Sequence, residues 1–220
     1  MMIRKMKQTS SQYFKQHKDI YGNILYINKP MKNSSTRNEL TDYYDEIKNC
    51  LKCQLGNSRT NFVFGVGNPE SDIVFVGEAP GKNEDLEGEP FVGRGGKLLD
   101  KILEAINVTR KDIYILNVLK CRPPENRDPA NDEIEKCEPY LKKQLKIIKP
   151  KLIVALGRIS AMTLLKTKDS LTDMRNTIHK YEGIDLMVTY HPAAILRNPN
   201  FKRPTWDDFK YIRDNYLNGK

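Results

Sequence analysis

Four short apolar runs, each followed by a stretch with helical periodicity, set the pattern of the chain. The runs are continuously apolar rather than alternating, which is typical of strands buried on both faces of a parallel sheet. The predicted strands are 72–77, 113–119, 152–156 and 185–190, and the predicted helices are 97–107, 131–148, 159–166 and 206–217. This alternation predicts an α/β fold with a parallel sheet covered by helices on both faces.

The N-terminal part of the chain lacks this pattern. Residues 1–38 show no sustained periodicity, so we expect an irregular or poorly ordered extension, with the run 22–27 as a candidate short strand. A globular domain is then expected over 39–220. It begins with a predicted helix over 40–51 that has Thr41 as its N-cap, and Asn131 is the expected cap of helix 131–148.

Polar or glycine-rich segments follow three of the predicted strands. Strand 72–77 leads into GEAPGKNEDLEGEPFVGRGG at 77–96, strand 113–119 contains Asn117 and leads into KCRPPENR, and strand 185–190 leads into HPAAILRNP. The carboxyl ends of parallel strands lie at the same edge of a sheet, and open α/β sheets bind ligands there. We therefore expect a ligand site at this edge.

The glycine-rich loop does not match the common phosphate-binding motifs. Gly77 and Gly81 have the wrong spacing for a dinucleotide fingerprint, and the GGK at 95–97 is followed by Leu98 instead of the hydroxyl residue of a P-loop. Two interpretations remain: a tight turn without a ligand, or a loop whose backbone contacts a flat, polar ligand. The acidic residues of the loop favour the second.

Three side chains at the predicted edge are candidates for ligand contacts, each with a structural alternative. Phe91 either packs in the core or offers its face to a base. Asn117 either makes a structural hydrogen bond or reads a base edge that presents both a donor and an acceptor. His191 is followed by a proline that holds the turn, and its imidazole is suited to donate to a developing anion.

The net charge of +9 is concentrated at the N-terminus. Residues 1–38 hold eight lysines and arginines and one acid, Asp19, and so carry +7 of it. This segment is either a solvated basic tail or an arm that contacts phosphates. Within the domain, Arg122 and Arg127 either contact phosphates or are solvated. Asn126 lies in a proline-rich loop and is a candidate cap of a turn.

The four cysteines are candidate metal ligands. No apolar run approaches the roughly 18 residues of a membrane span, and the N-terminus lacks the apolar core of a signal peptide, so we expect an intracellular, cytoplasmic protein. In a reducing compartment cysteines are more often metal ligands than disulfides. Cys50 and Cys53 form one C-x-x-C pair, whereas Cys121 and Cys137 stand alone. A zinc ribbon normally has two such pairs, so a cubane iron–sulfur cluster fits somewhat better.

Taken together, these motifs resemble the family 4, iron–sulfur uracil-DNA glycosylases over about residues 45–212. The matching segments are CLKC at 50–53, GEAPG at 77–81, Glu84-Asp85, PFVGRGGKLLD at 90–100, NVLKCRPP at 117–124 with Asn126-Arg127, Cys137, and HPAAILRNP at 191–199.

The resemblance implies a three-layer αβα fold with a central, mainly parallel four-stranded sheet. It implies a monomeric, monofunctional enzyme without membrane contact that flips uracil out of single- or double-stranded DNA and leaves an abasic site, as in base excision repair. It also implies a 4Fe–4S cluster on Cys50, Cys53, Cys121 and Cys137.

The resemblance further implies roles for individual residues. Gly77, Glu78, Ala79 and Pro80 line the uracil pocket, Phe91 stacks on the base, Asn117 reads its polar edge, and His191 faces O2. Glu84 and Asn126 match positions implicated in activity, Arg122 and Arg127 are candidate DNA contacts, and Ile195-Leu196-Arg197 matches the loop that enters the duplex.

The chain departs from the broader superfamily at the general base. The loop GEAPG has no Asp to position water, so Glu84 is our candidate for that role. A related branch binds uracil-DNA covalently through a His in an inserted basic loop. Residues 122–130 contain no His, so we expect turnover. Gly95 stands where the family more often has Ala, and we expect no functional change from it.

Overall fold

The apolar runs form the strands of one mixed sheet in the computed structural model, which describes residues 34–217 of the chain. The strands are β1 (Val66–Gly67), β2 (Ile73–Gly77), β3 (Tyr114–Asn117), β4 (Leu152–Leu156), β5 (His179–Tyr181) and β6 (Ile184–Thr189). Their spatial order is β1-β3-β2-β4-β6-β5. The four inner strands are parallel, and the two edge strands β1 and β5 pair antiparallel.

Both faces of the inner strands are buried. Every residue of β2 and β4 is buried. Successive side chains of a strand point to opposite faces, and accordingly Val74 and Val76 belong to one hydrophobic cluster while Ile73 and Phe75 belong to the other. Two apolar cores separated by the sheet give the three-layer αβα arrangement.

The helices that cover the sheet are α1 (Ser34–Ile47), α2 (Leu55–Ser58), α3 (Lys82–Glu87), α4 (Arg94–Glu104), α5 (Asn131–Ile148), α6 (Arg158–Leu165), α7 (Leu171–Met174), α8 (Pro192–Arg197) and α9 (Lys202–Ile212). Short 3₁₀ turns occur at Pro124–Asn126 and Pro199–Phe201, and a π-helical turn follows at Arg213–Leu217. Among residues 34–217, no helix is long and apolar enough to cross a membrane.

The predicted α/β fold class is confirmed, and the four predicted strands are the four parallel inner strands. The sheet nevertheless has six strands rather than four. The additional strands β1 and β5 contain two and three residues, which is too short to show a period in the sequence. Strand β4 and helix α5 have the predicted bounds.

The predicted helix ends were less accurate. Helix α1 begins at Ser34 rather than 40, so Thr41 is not its N-cap; the Thr41 hydroxyl donates to the Arg37 carbonyl at 2.9 Å within the helix. The predicted boundary between residues 38 and 39 therefore falls inside a helix, and the candidate strand 22–27 lies outside the described residues. Asn131 is the first residue of α5 rather than its cap; Ala130 precedes the helix and donates its N–H to Glu133 Oε2 at 2.8 Å.

The register of the sheet brings the predicted site residues to one edge. Gly77 at the end of β2 is paired with Asn117 at the end of β3. Leu156 at the end of β4 is paired with Thr189 at the end of β6, two residues before His191. The polar segments that follow these strands therefore meet at the carboxyl edge of the sheet.

Candidate active site

A cleft of about 900 Å³ opens at the carboxyl edge of the inner strands. Its walls come from the loop after β2, the end of β3, the turn between β4 and α6, and the segment after β6. Eight residues singled out from the sequence line it: Glu78, Ala79, Glu84, Phe91, Asn117, Asn126, His191 and Arg197. Residues from distant parts of the chain are thus collected in one concave site, as expected for a ligand pocket.

Gly77 allows close packing at the inner wall of the cleft. A Cβ at this position would overlap the Asn117 Oδ1 atom and would lie 2.7 Å from the Phe91 ring. No side chain fits there without displacing both neighbours. Gly77 therefore serves the site by its small size, and it brings the Asn117 amide and the Phe91 ring close together.

The Asn117 side chain is buried and presented to the cleft. Asn117 is 2% exposed and lines the cleft. Its side-chain amide makes no hydrogen bond to another group of residues 34–217. The Asn117 main-chain carbonyl accepts a hydrogen bond from Lys120 Nζ at 2.7 Å, and Lys120 is fully buried. The backbone is thus fixed while the amide keeps its donors and acceptor for a ligand.

Phe91 is held in an uncommon backbone conformation. Its φ is +58°, a region that bulky residues rarely adopt outside functional sites. Arg110 donates to the Phe91 and Pro90 carbonyls and is itself paired with Asp100 at 2.7 Å. The ring stacks on His191 with centroids 5.4 Å apart and an interplanar angle of 29°. This is a direct ring contact, so a base would not insert between the two rings.

Glu84 anchors the segment that carries Phe91. Its Oε1 atom accepts hydrogen bonds from the backbone N–H groups of Val92 at 3.0 Å and Gly93 at 2.9 Å. Gly93 is the residue that precedes helix α4, so the carboxylate stabilises the N-terminus of that helix. No hydrogen bond from residues 34–217 engages Oε2, and that atom is available to a water in the cleft.

His191 is a neutral hydrogen-bond donor in this environment. Its Nδ1 accepts a hydrogen bond from the Ala193 N–H at 3.1 Å, which places the ring proton on Nε2. Burial, together with the nearby Arg197 guanidinium, lowers the pKa of His191 to about 4, and Glu84 partly opposes this shift. At neutral pH the imidazole is therefore uncharged and has Nε2–H to offer.

Glu78 lies in the same cleft with a strongly perturbed acidity. Burial raises the pKa of Glu78 to about 7, and the Asp128 carboxylate contributes in the same direction, whereas Arg158 opposes it. A carboxyl group that titrates near neutrality in a cleft is typical of a functional site. The adjacent Ala79 lines the cleft and Pro80 is buried.

The loop after β3 contributes Asn126 to the cleft. Both arginines of this loop, Arg122 and Arg127, are hydrogen-bonded to other side chains. Arg122 Nε donates to Asn126 Oδ1 at 2.8 Å, which orients that amide. Arg127 forms a two-pronged ion pair with Glu133 at 2.6 and 2.9 Å. Glu133 in turn supports the start of α5, so the structure gives Arg127 a structural partner in addition to its predicted DNA contact.

The three residues predicted to meet DNA in the last loop differ in exposure. Ile195 is 2% exposed and packs inside the protein, whereas Leu196 is 44% exposed. Arg197 is exposed at the rim of the cleft. Of the two apolar residues, Leu196 is the one whose side chain a partner can reach, and Ile195 instead fixes helix α8 to the core.

The four cysteines lie around one apolar cluster and form no disulfide. Burial, with smaller contributions from Cys121 and Cys53, raises the pKa of Cys137 to about 12, whereas Lys120 opposes this shift. In the part of the chain covered by residues 34–217, no three His, Cys, Asp or Glu side chains are close enough together to hold one metal ion.

Hydrogen-bond donors surround the cysteine sulfurs. The donors include Tyr140 Oη to Cys50 Sγ at 3.0 Å, Arg59 Nη1 to Cys121 Sγ at 3.4 Å, and the Lys120 backbone N–H to Cys137 Sγ at 3.3 Å. Donors of this kind stabilise negative charge on sulfur and tune iron–sulfur clusters. Three of the four thiols thus have hydrogen-bond donors of the kind that a thiolate-bound cluster requires.

Comparison with known proteins assigns the chain to a family. A sequence model of the uracil DNA glycosylase superfamily matches residues 64–210. The chain is 46% identical over 181 residues to a type-4 uracil-DNA glycosylase of Archaeoglobus fulgidus, covering 79% of this chain and 91% of that protein. It is 48% identical over 179 residues to the Sulfurisphaera tokodaii enzyme (77% and 81%) and 45% identical over 166 residues to the Thermotoga maritima enzyme (74% and 86%).

The chain belongs to the type-4 uracil-DNA glycosylases. The resemblance stated from the motifs is thereby confirmed.

Several residues that shape this type-4 site were missed in the sequence. Arg110 fixes the backbone of Phe91 from a distant turn, and nothing in its local sequence distinguishes it from other arginines. Gly157 has a φ of +92°, and a Cβ there would lie 2.8 Å from the His191 Cβ. Its place directly after a buried strand was a usable signal for close backbone approach. Tyr190 and Phe201 also line the cleft.

Proposed function

We propose that this protein removes uracil from DNA by hydrolysing the bond between the base and the deoxyribose. The observation that carries the proposal is the meeting of Asn117, Phe91 and His191 in one cleft. A base read by an amide, stacked on a ring and facing a neutral donor has the contacts needed for selection and for departure. The type-4 relatives act on uracil in DNA, as their names state.

Base selection rests on the Asn117 amide. Uracil presents an N3–H donor beside the O4 acceptor, and an amide offers one acceptor and two donors that match this edge. Cytosine presents an acceptor and an amino donor at the same places. Binding cytosine would leave buried polar groups without partners, and such mismatches allow strong discrimination.

His191 stabilises the leaving group. When the glycosidic bond breaks, negative charge develops on uracil, and its O2 atom faces the Nε2–H of His191. One well-placed donor of this kind is worth about 3–4 kcal/mol of transition-state stabilisation. Because His191 is neutral at physiological pH, its contribution is a hydrogen bond rather than proton transfer from an imidazolium.

Water attack on C1′ is assigned to the carboxylates of the cleft. Glu84 offers Oε2 to a water while Oε1 holds the loop. Glu78 is the alternative base, because burial raises its pKa to about 7 and a pKa near the operating pH suits general-base catalysis. Asn126 lines the same cleft and is oriented by Arg122, and we assign it to hold the same water or the sugar.

We infer that Cys50, Cys53, Cys121 and Cys137 hold a 4Fe–4S cluster. These residues come from the α1–α2 connection, the loop after β3 and helix α5. A cluster bound to them would supply a cross-link between these elements next to Asn117. Its role is structural here, and no step of base removal passes through it.

The partner is uracil-containing DNA, single- or double-stranded, and the protein acts as a monomer. We assign exposed Leu196 to the gap left by a flipped nucleotide, and Arg197 at the rim of the cleft to its phosphate. A base in a U·G mismatch is the easiest to extrude, since flipping costs a few kcal/mol and least for a mispaired base.

One assay tests the activity. Purified protein is incubated with an oligonucleotide that contains one uracil and with a matched oligonucleotide that contains cytosine, and abasic sites are cleaved with alkali. We expect breakage at uracil only. Absence of uracil-dependent breakage would contradict the proposal.

The cluster is tested separately by metal content. Protein purified without oxygen should contain about four iron atoms and four sulfides per chain, and a Cys137→Ala variant should lose most of both. Colourless, iron-free wild-type protein, or protein with one zinc ion, would contradict the cluster.

A further inference from the structure

A second aromatic group lines the cleft beside the base pocket. The rings of Tyr190 and Phe201 stack with centroids 4.2 Å apart and an interplanar angle of 11°. Both residues are half-buried and line the cleft. Tyr190 directly precedes His191 in the chain, so the stack adjoins the pocket. The proposed reaction on uracil uses neither ring.

A buried ion pair supports this stack from behind. The Arg175 guanidinium lies 4.6 Å from the centroid of the Tyr190 ring. Arg175 is bound by Asp208 through hydrogen bonds of 2.8 to 3.1 Å, and the Thr189 hydroxyl also donates to Asp208. The two charged residues are only 7% and 3% exposed. A buried ion pair contributes little net stability, and here its geometric effect is to fix the Tyr190 ring.

The arrangement leaves one aromatic face open. Arg175 and Phe201 cannot share one face of Tyr190 at these distances, so they cover its two faces. Phe201 stacks on Tyr190 through one of its own faces, and no other ring or cation from residues 34–217 lies over it. Phe201 lines the cleft and is only half-buried, so part of its ring is accessible from the cleft.

The surroundings of Phe201 indicate a nucleobase as the occupant. The cleft volume of about 900 Å³ lies near the upper end of the range for small-molecule pockets and exceeds what one base needs. Arg197 and Lys202, both exposed, flank Phe201 along the chain. Aromatic faces next to cations that follow a phosphate backbone are the pattern of single-stranded nucleic acid binding.

We propose that the open face of Phe201 binds the nucleobase next to the flipped uridine in the same strand. The stack of Arg175, Tyr190 and Phe201 is a preorganised platform, so binding requires little ordering of side chains. Stacking does not depend on base identity, so this subsite adds affinity without sequence preference. The inference rests on the proposed removal of uracil from DNA and adds a second binding position to it.

The test measures coupling between Phe201 and the neighbouring base. Single-turnover uracil release is followed at increasing protein concentration, with single-stranded oligonucleotides that carry an abasic spacer on the 5′ or the 3′ side of uracil. With wild-type protein, we expect the spacer on one side to raise the half-saturating concentration about tenfold. The maximal rate should change little.

The variants decide what the spacer effect means. Phe201→Leu should show the same roughly tenfold loss with ordinary DNA and no further loss with the spacer, whereas Phe201→Trp should behave like wild type. Tyr211→Leu is the matched control, because Tyr211 is 42% exposed on helix α9 but does not line the cleft.

Two results would overturn the inference. One is a Phe201→Leu variant that binds ordinary DNA with wild-type affinity. The other is a Phe201→Leu variant whose loss of affinity adds in full to the loss caused by the spacer, because the residue would then act only on protein packing. If the wild-type protein released no uracil from any substrate, the proposed function would fail first and this inference with it.

Discussion

The base pocket depends on a contact that a single methyl group would destroy. Two adjacent strands contribute Gly77 and Asn117, and the connection between these strands contributes Phe91. The Asn117 amide and the Phe91 ring occupy the space that a side chain at position 77 would need. The functional groups of the pocket are therefore placed by close packing rather than by hydrogen bonds between side chains. Such a site is sensitive to small changes in volume.

Replacing Gly77 by Ala tests this packing. The new Cβ must displace the Asn117 amide or the Phe91 ring, so we expect uracil release to fall by at least about tenfold while the protein still folds. Gly95→Ala is the control, because a Cβ there would meet Ala193 N at an ordinary 3.4 Å. Single-turnover rates and thermal melting of both variants measure the effect; equal rates for the two would contradict the packing argument.

The acidity of Glu78 predicts a pH dependence of stability. Burial raises its pKa from an ordinary 4.5 to about 7 in the folded protein. Between these values the folded state keeps a proton that the unfolded state releases, so the contribution of Glu78 to stability is full below pH 4.5 and is lost as the pH rises through 7. The free energy of unfolding can be measured by denaturant titration at about pH 5 and pH 8. It should fall more between these pH values for wild type than for Glu78→Gln. Parallel curves would mean that Glu78 titrates normally.

At the scale of elements, Glu84 has two separable roles. Its Oε1 atom binds the N–H groups that precede α4, and its Oε2 atom is proposed to hold water. Glutamine retains an oxygen that can accept the same two hydrogen bonds but cannot act as a base, whereas alanine loses both functions.

Glu84→Ala should therefore lose stability, by about 1–3 kcal/mol, and activity. Glu84→Gln should keep most of the stability and lose activity by about 100-fold or more. Chemical denaturation and single-turnover kinetics on the same preparations separate the two roles. A Glu84→Gln variant with nearly full activity would restrict Glu84 to the structural role and leave the base to another group.

The elements that could be predicted from the sequence are those with a strong period. Strand β4 and helix α5 were predicted to the residue, because buried apolar runs and long amphipathic helices carry clear patterns. The edge strands β1 and β5 were missed because they are too short to show alternation. The start of α1 was missed because its first turns are polar, and a helix of this kind is stabilised by tertiary packing that the sequence does not display.

The candidate site was predictable to the extent that its residues follow strand ends. Asn117 and His191 were found in this way, and Phe91 and Glu84 were found in the loop after β2. Arg110, Gly157 and Phe201 were not, because their contribution depends on contacts across the fold. The platform around Phe201 required the distances between Arg175, Tyr190 and Phe201, which no local motif indicates.

At the scale of the whole molecule, the Arg175–Asp208 pair joins the segment after α7, the end of β6 and helix α9. Removing one partner leaves an uncompensated buried charge, so Asp208→Ala should lower the free energy of unfolding by about 3–5 kcal/mol. The double variant Arg175→Met/Asp208→Leu should recover much of that loss. Equilibrium unfolding of the single and double variants measures this, and a single variant with unchanged stability would show that the pair is solvated.

The central claim is that Asn117 reads uracil in a pocket built at the ends of β2, β3 and β6. It is tested most directly by single-turnover release from matched uracil and cytosine oligonucleotides with wild type and Asn117→Ala, at equal iron content and melting temperature. We predict that wild type releases uracil only and that Asn117→Ala is slower on uracil by at least about 100-fold. A variant that releases uracil at the wild-type rate would contradict the assignment.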